Sequence, residues 1–233
     1  MINTMILSNA QPSPLFVADT LAAEQIANRL SIHLKKGNSV LWLISGGSSI
    51  DLAVQIQASL GNQDTSKLTV ALVDERYVQT TSSNSNIKKL LDAGFNQESS
   101  QLIPILQPGL SLEETLSTYN QALTSLLKES DYSLGIFGMG ADGHTAGILP
   151  GSPLVNESTE VVGSYKAKDF VRISLTPFGI TQLNSVVLYV TGKEKWPQLS
   201  KLNQQVDPNE MPVQLLKQST SLTVYTDYKG DTT

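Results

Sequence analysis

Short apolar runs alternate along this chain with stretches of helical patterning, and several of the runs end in small or charged residues. This rhythm constrains the fold more than any other feature. Val40 to Ile44, Leu68 to Val73, Leu102 to Leu106 (broken by Pro104), Leu134 to Phe137, Phe170 to Leu175, Val186 to Thr191 and Leu222 to Thr226 read as strands. Runs this apolar predict strands covered on both faces, as in a parallel sheet. Between them, Ala22, Ile26, Leu30 and Leu34 recur at helical spacing, with Asp19 or Thr20 as cap and Gly37 as stop. Ile50 to Leu60 and Asn86 to Leu91, the latter ended by Gly94, read as further helices. Ser111-Leu-Glu-Glu114 is a capping box, and its helix buries Leu112, Leu116, Tyr119, Leu123 and Leu126. The order predicts an α/β fold with a mostly parallel sheet flanked by helices. There is no internal repeat and no inter-domain linker, so residues 1–233 read as one domain. The polar stretch Asn203 to Pro212 reads as a loop and Lys229 to Thr233 as a frayed tail.

Composition narrows the function. The 233 residues carry a net charge of −5, with 40% apolar and 16% charged side chains. That is a soluble globular composition with no general nucleic-acid or anionic-membrane surface. An anionic ligand would have to be met by a few local cations. The chain has no cysteine, which excludes disulfides and thiolate metal sites. The N-terminus has no basic region followed by an apolar core, and no window reaches the length of a membrane span. The expectation is a cytoplasmic enzyme.

Four strand ends carry the chemistry. Val40 to Ile44 runs into Ser45-Gly-Gly-Ser-Ser49, where small residues before a helix expose N–H groups to an anion. Leu68 to Val73 runs into Asp74-Glu-Arg76; alternation sends Asp74 and Arg76 to one side and Glu75 to the other. Leu134 to Phe137 runs into Gly138-Met-Gly-Ala-Asp-Gly-His144, followed by a helix-compatible stretch. His144 is one of only two histidines and suits proton transfer near neutrality. The glycines at 138, 140 and 143 permit positive φ and close approach of backbone to a ligand. Val186 to Thr191 runs into Gly192-Lys-Glu-Lys195. Ligands of open α/β sheets bind beyond the carboxyl ends of the strands, so four such ends together predict one site. Arg172, in an apolar strand, must lie at an exposed edge or pair with an anion. The polar stretch 82–86 either donates to sugar hydroxyls or caps the next helix. Lys193 reads as a surface residue. His33, near the end of the first helix, reads as structural or exposed, with the helix dipole favouring its proton.

Taken in order, Gly46-Gly47-Ser48, Asp74-Glu75-Arg76-Tyr-Val78, Ser83-Asn84, Gly138 to Ala146 with Pro150-Gly151, Arg172-Ile-Ser-Leu-Thr176 and Thr191 to Lys195 resemble the motif series of 6-phosphogluconolactonases. The resemblance runs from about Val40 to Asp227. The chain departs from the family's habits at Ser48-Ser-Ile50, Val78-Gln79 and Gly147, none of which removes an acid, base or cation. The resemblance implies a Rossmann-like, NagB/RpiA-like fold and hydrolysis of 6-phospho-D-glucono-1,5-lactone in the oxidative pentose phosphate pathway, without metal or organic cofactor. It implies His144 as general base, Asp142 as its orienting partner, and Arg76 and Asp74 at the reacting end. Gly46, Gly47, Ser48, Asn84, Arg172 and Lys195 would hold the sugar phosphate. The expected partner is a small sugar-phosphate lactone, with no nucleic acid or membrane, for a monomer or small homo-oligomer.

Two rivals remain. A glucosamine-6-phosphate deaminase would use His144 for ring opening and Asp74 to take a proton from C2. Such enzymes place a glutamate where this chain has Leu149. A non-catalytic sugar-phosphate sensor would need a DNA-binding segment, and no basic helix-turn-helix region is visible.

Overall fold

The computed structural model describes residues 5–7, 19–96 and 100–229. Its elements run β1 (Met5–Leu7), α1 (Asp19–Lys35), β2 (Val40–Ile44), α2 (Ser49–Leu60), β3 (Leu68–Leu72), β4 (Asp74–Arg76), α3 (Asn86–Asp92), β5 (Gln101–Ile103), α4 (Leu112–Glu129), β6 (Tyr132–Phe137), β7 (Val162–Lys166), β8 (Val171–Leu175), α5 (Pro177–Thr181), β9 (Ser185–Val190), α6 (Trp196–Leu199) and β10 (Leu222–Thr226). Seven strands form one sheet in the order β1-β10-β9-β6-β2-β3-β5. Every pairing in it is parallel except that of β1 with β10. The α/β expectation therefore holds. Every residue of β2 and β6 is buried, because helices cover both faces, and this explains why β2 and the Leu134–Phe137 part of β6 read as apolar runs.

The strand order places the site. From β2 the chain winds outward through β3 to β5, then returns through α4 to β6 on the other side of β2 and winds outward through β9 to β10. The order reverses between β2 and β6. That switch point opens a crevice at their carboxyl ends, where Ser45 and Gly138 begin their loops.

A second sheet, in the order β4-β8-β7, stands at the same edge. Asp74–Arg76 does not simply extend β3 but forms a strand in its own right, antiparallel to β8, with Asp74 opposite Ser174 and Arg76 opposite Arg172. Strand β8 lies in the middle of this sheet, so Arg172 is not at an exposed edge; it takes the other course expected for a buried cation and pairs with Asp169.

The helices match their sequence signals in part. The capping box of α4 is formed on both sides by Ser111 and Glu114. Tyr119 and Leu123 are buried, whereas Leu112, Leu116 and Leu126 are only partly so. Helix α1 starts at Asp19, so Asp19 and Thr20 lie in its first turn rather than before it; Gly37, at φ +78°, closes its end with an N–H donated to Leu34 O at 2.9 Å. His33 stacks on Tyr132 with ring centroids 3.7 Å apart. Burial, aided by Lys36, pulls its pKa below the ordinary value, which outweighs the dipole argument for a proton there. The frayed tail expected at 229–233 lies outside the described residues except for Lys229. No helix among the described residues is long and apolar enough to cross a membrane.

Candidate active site

One cleft of about 220 Å³ collects the four strand ends. It is lined by Ser45, Gly46, Gly47, Ser48, Asp74, Arg76, Asn86, Gly138, Met139, Gly140, His144, Ala146, Arg172 and Lys195. A larger hollow of about 660 Å³ runs along α4 beside Glu160, Phe178 and Gln182. Apart from Lys128 and Glu160 its walls are neutral, so the groups for proton transfer and anion binding converge only on the smaller cleft among the described residues.

Period-2 geometry puts the charges there. Asp74 and Arg76 share one face of β4, and their partners Ser174 and Arg172 share the same face of β8. Glu75 points the other way, as alternation predicts. It is fully buried and accepts the N–H groups of Asn86 at 2.7 Å and Ile87 at 3.0 Å, and the Ser85 hydroxyl at 3.0 Å. It thereby fastens the first turn of α3 beneath the cleft. Burial pushes its carboxyl above the usual range against the pull of those N–H groups.

Asn86 opens α3, as expected, but also lines the cleft, a role sequence reasoning missed. Its Oδ1 accepts Arg76 Nη1 at 2.7 Å, and its Nδ2 donates to the backbone oxygen of Asp74 at 3.0 Å and to Asp74 Oδ2 at 3.3 Å. It therefore braces the acid and the cation against each other. Asn84, the expected sugar contact, is exposed, lies outside the cleft and touches Arg76 only through its carbonyl, at 3.2 Å. The cap of α3 is Ser85, whose side chain accepts Lys88 N–H. No local signal singles out Asn86, because its place beside Asp74 depends on the packing of α3 against the buried Glu75.

The Gly138–His144 turn is compact. Gly140 N–H donates to His144 O at 2.9 Å and Gly143 N–H to Gly140 O at 3.0 Å. Of the three glycines only Gly143 has positive φ, at +83°. Gly140 is required by contact, since a Cβ there would run into the His144 ring and Asp142 Oδ1. Gly138 meets nothing closer than Ser49 Oγ at 3.7 Å and shows neither need. No helix follows. The chain turns at Thr145–Ile148, with Ala146 at φ +51°, and continues through a 3₁₀ turn at Pro153–Asn156, because Gly147, Pro150 and Gly151 break the helical pattern.

His144 Nδ1 lies 2.6 Å from Asp142 Oδ1, and the same oxygen accepts the His144 N–H at 3.1 Å. Burial pulls Asp142 upward but is outweighed by these bonds and by the imidazole, so its carboxyl sits below the usual value. An ionised Asp142 assigns the Nδ1 proton to the bond between them. That leaves Nε2 as the basic lone pair, with no protein partner among the described residues.

The same cleft is lined by cations. Arg172 is 7% exposed and its Nη2 donates to Asp169 at 2.7 Å, while its Nε has no partner. Arg76 Nε, Ser45 Oγ and Ser49 Oγ are likewise buried without partners. Lys195 completes the lining from the loop after β9, whereas Lys193 is exposed, as expected, and lies 5.8 Å from the Trp196 ring centroid. Helix α2 opens onto the cleft with no side-chain cap from Ser48, and Gly47 adopts φ +65°. The start of α2 therefore brings its positive dipole end beside Arg76, Arg172 and Lys195.

Asp74 stands in the same cleft, 5% exposed. Burial pushes its carboxyl above the usual range, against the pull of Arg76, His144, Arg172 and the Asn86 amide. The sign of its effect on stability follows. Below the ordinary aspartate value both native and unfolded chains hold the proton and Asp74 is neutral to stability. As pH rises toward the raised native value the unfolded chain ionises first, and native stability falls. Asp74→Asn is therefore expected to raise the melting temperature at neutral pH, with the gain vanishing in the acid range. Melting curves at a series of pH values check this, and a gain constant across pH would contradict it.

The molecule is a doubly wound α/β protein with an acid–imidazole pair and three cations at the switch point of its sheet. The chain belongs to the family described as glucosamine-6-phosphate isomerases/6-phosphogluconolactonase, whose model matches residues 17–225. It is 27% identical over 209 residues to a 6-phosphogluconolactonase of Caulobacter vibrioides, covering 84% of this chain and 87% of the relative. Its fold superposes on a 6-phosphogluconolactonase of Shewanella baltica with a TM-score of 0.74 at 21% identity, covering 91% and 95% of the two chains. A monomeric glucosamine-6-phosphate deaminase of the NagB superfamily superposes equally well, at 0.74 and 17% identity over 90% and 94%. The fold is thus common to both activities, and the choice between them rests on side chains.

Proposed function

We propose that this chain hydrolyses 6-phospho-D-glucono-1,5-lactone to 6-phospho-D-gluconate, the lactone-opening step of the oxidative pentose phosphate pathway. The observation that carries the reading is the Asp142–His144 pair, whose imidazole lines the same cleft as Arg76, Arg172 and Lys195. His144 Nε2 takes a proton from water as its oxygen attacks the lactone carbonyl carbon. Arg76 faces the oxyanion that forms. The bond from that carbon to the ring oxygen then breaks, and the imidazolium returns its proton to the departing alkoxide. The product is a hydroxy acid that ionises. The start of α2, Arg172 and Lys195 hold the phosphate. General-base help is worth about 10²–10⁴ in rate and positioned donors add a comparable factor, enough for a substrate that already opens spontaneously. Against the deaminase reading, Leu149 bears no acid and its N–H is taken by the Tyr165 hydroxyl at 3.2 Å; the carboxylate bonded to His144 is Asp142.

The test is loss of freshly made lactone, followed beside the spontaneous reaction with and without protein. Acceleration with release of 6-phosphogluconate supports the reading. No acceleration, or turnover of glucosamine 6-phosphate in a coupled assay instead, overturns it. EDTA is expected to leave the rate unchanged, since the chain has no cysteine and two histidines, and the described residues hold no group of three metal-ligating side chains. Inhibition reversed by a divalent ion would contradict this.

A further inference from the structure

We propose that Asp227 is a positioning residue for the anion cradle: it fixes the turn that holds Lys195 in the cleft and so sets the grip on a phosphate monoester. The proposal rests on the reading of the cleft given above. Strands β9 and β10 are parallel neighbours with Val190 opposite Thr226, so the residues that follow them emerge side by side. Asp227 comes directly after Thr226. Its Oδ2 accepts the Gly192 N–H at 3.0 Å and its Oδ1 accepts Trp196 Nε1–H at 2.9 Å. One carboxylate thus holds both ends of the Gly192–Trp196 turn, and inside it Lys195 N–H donates to Gly192 O at 3.0 Å. Gly192 sits at φ +106°, a backbone conformation that L side chains rarely adopt, so the turn depends on glycine. The Trp196 ring also packs on Tyr228, the next residue of the same strand exit, with centroids 5.7 Å apart. Lys195, with its long stem, would otherwise sample many rotamers, and fixing its backbone from both sides lowers the entropy lost when it meets an anion.

The proposal makes a prediction opposite in sign to plain electrostatics. Removing an anion from the neighbourhood of a cationic cradle should tighten anion binding; removing the clamp should weaken it. Calorimetric titration with 6-phosphogluconate separates the two. Lys195→Ala is expected to weaken binding about 10- to 100-fold, and Asp227→Ala on the order of 10-fold. Asp227→Asn, which keeps one acceptor oxygen, should fall between Asp227→Ala and the unaltered protein. Because Asp227 acts through Lys195, adding Asp227→Ala to Lys195→Ala should cost little further. Binding by Asp227→Ala as tight as in the unaltered protein, or a loss that adds in full to that of Lys195→Ala, overturns the clamp. If Asp227→Ala does not fold, Trp196→Phe, which removes the indole donor and keeps an aromatic ring beside Tyr228, decides: a weakening confined to chains that retain Lys195 supports the clamp, and no weakening overturns it. Failure of the unaltered protein to bind 6-phosphogluconate would sink the reading of the cleft itself, an outcome distinct from failure of the clamp alone.

Discussion

Replacing His144 by asparagine is expected to lower kcat for lactone hydrolysis by about 10²–10⁴ while leaving the fold intact. Asparagine lacks the basic lone pair that Nε2 offers and cannot carry the proton to the departing ring oxygen. Stability should change little, because the His144 side chain is 36% exposed and its one bonded partner, Asp142, is 52% exposed and returns to water. Asp142→Asn tests the pair from the other side. An amide in place of the carboxylate no longer selects the Nδ1–H tautomer, so kcat should fall again with KM nearly unchanged. A His144→Asn protein that turns over lactone near the normal rate would remove His144 from the mechanism.

Loss of Arg172 is expected to show itself in KM. Charge-assisted contacts contribute roughly 1.5–3 kcal/mol each, so Arg172→Ala should raise KM for the phosphorylated lactone about 10- to 100-fold. A phosphate held equally in ground and transition states changes kcat little. With unphosphorylated gluconolactone the same substitution should have almost no effect, and the contrast between the two substrates is the measurement. Because Arg172 is buried, Arg172→Met serves as a second variant that keeps the aliphatic stem packed and loses only the guanidinium. Asp169, 47% exposed, loses its partner at small cost. Equal losses on both substrates would move the phosphate to the Gly46–Ser48 loop and Arg76.

The parts of the fold that were legible in the sequence were those where one force dominates. Burial on both faces leaves strands rich in apolar, β-branched and aromatic residues, so β2, β9, β10 and most of β6 could be read directly. The capping box of α4 could be read because its two side chains act within one turn. The strand ends announced the cleft because glycine, acid and histidine have little structural reason to crowd there. What stayed hidden depends on contacts remote in sequence. Strand β7 is half exposed and mixes Gly163, Ser164 and Lys166 with Val162, so it carries no clear period. The small sheet arises because β4 pairs with a strand about a hundred residues away, which no local pattern encodes. For the same reason Asn84 and Asn86 looked interchangeable along the chain; only the packing of α3 against Glu75 turns Asn86 inward.

The antiparallel pairing of β4 with β8 also makes the charge layout a matter of parity. Arg76 stands opposite Arg172 and Asp74 opposite Ser174, and side chains alternate faces at every step. A one-residue slip of β8 against β4 would turn Arg172 and Ser174 to the far face and carry Ile173 toward the cleft, exchanging a cation for an aliphatic side chain. A two-residue slip would restore the orientation but shift the partner of Arg76. Length changes are absorbed instead in the Ala167–Phe170 connection, where the ladder has not yet begun, with the proviso that Asp169 must still reach Arg172. The cradle is thus protected against gradual drift: a change in strand length either leaves its charge in place or removes it in a single step.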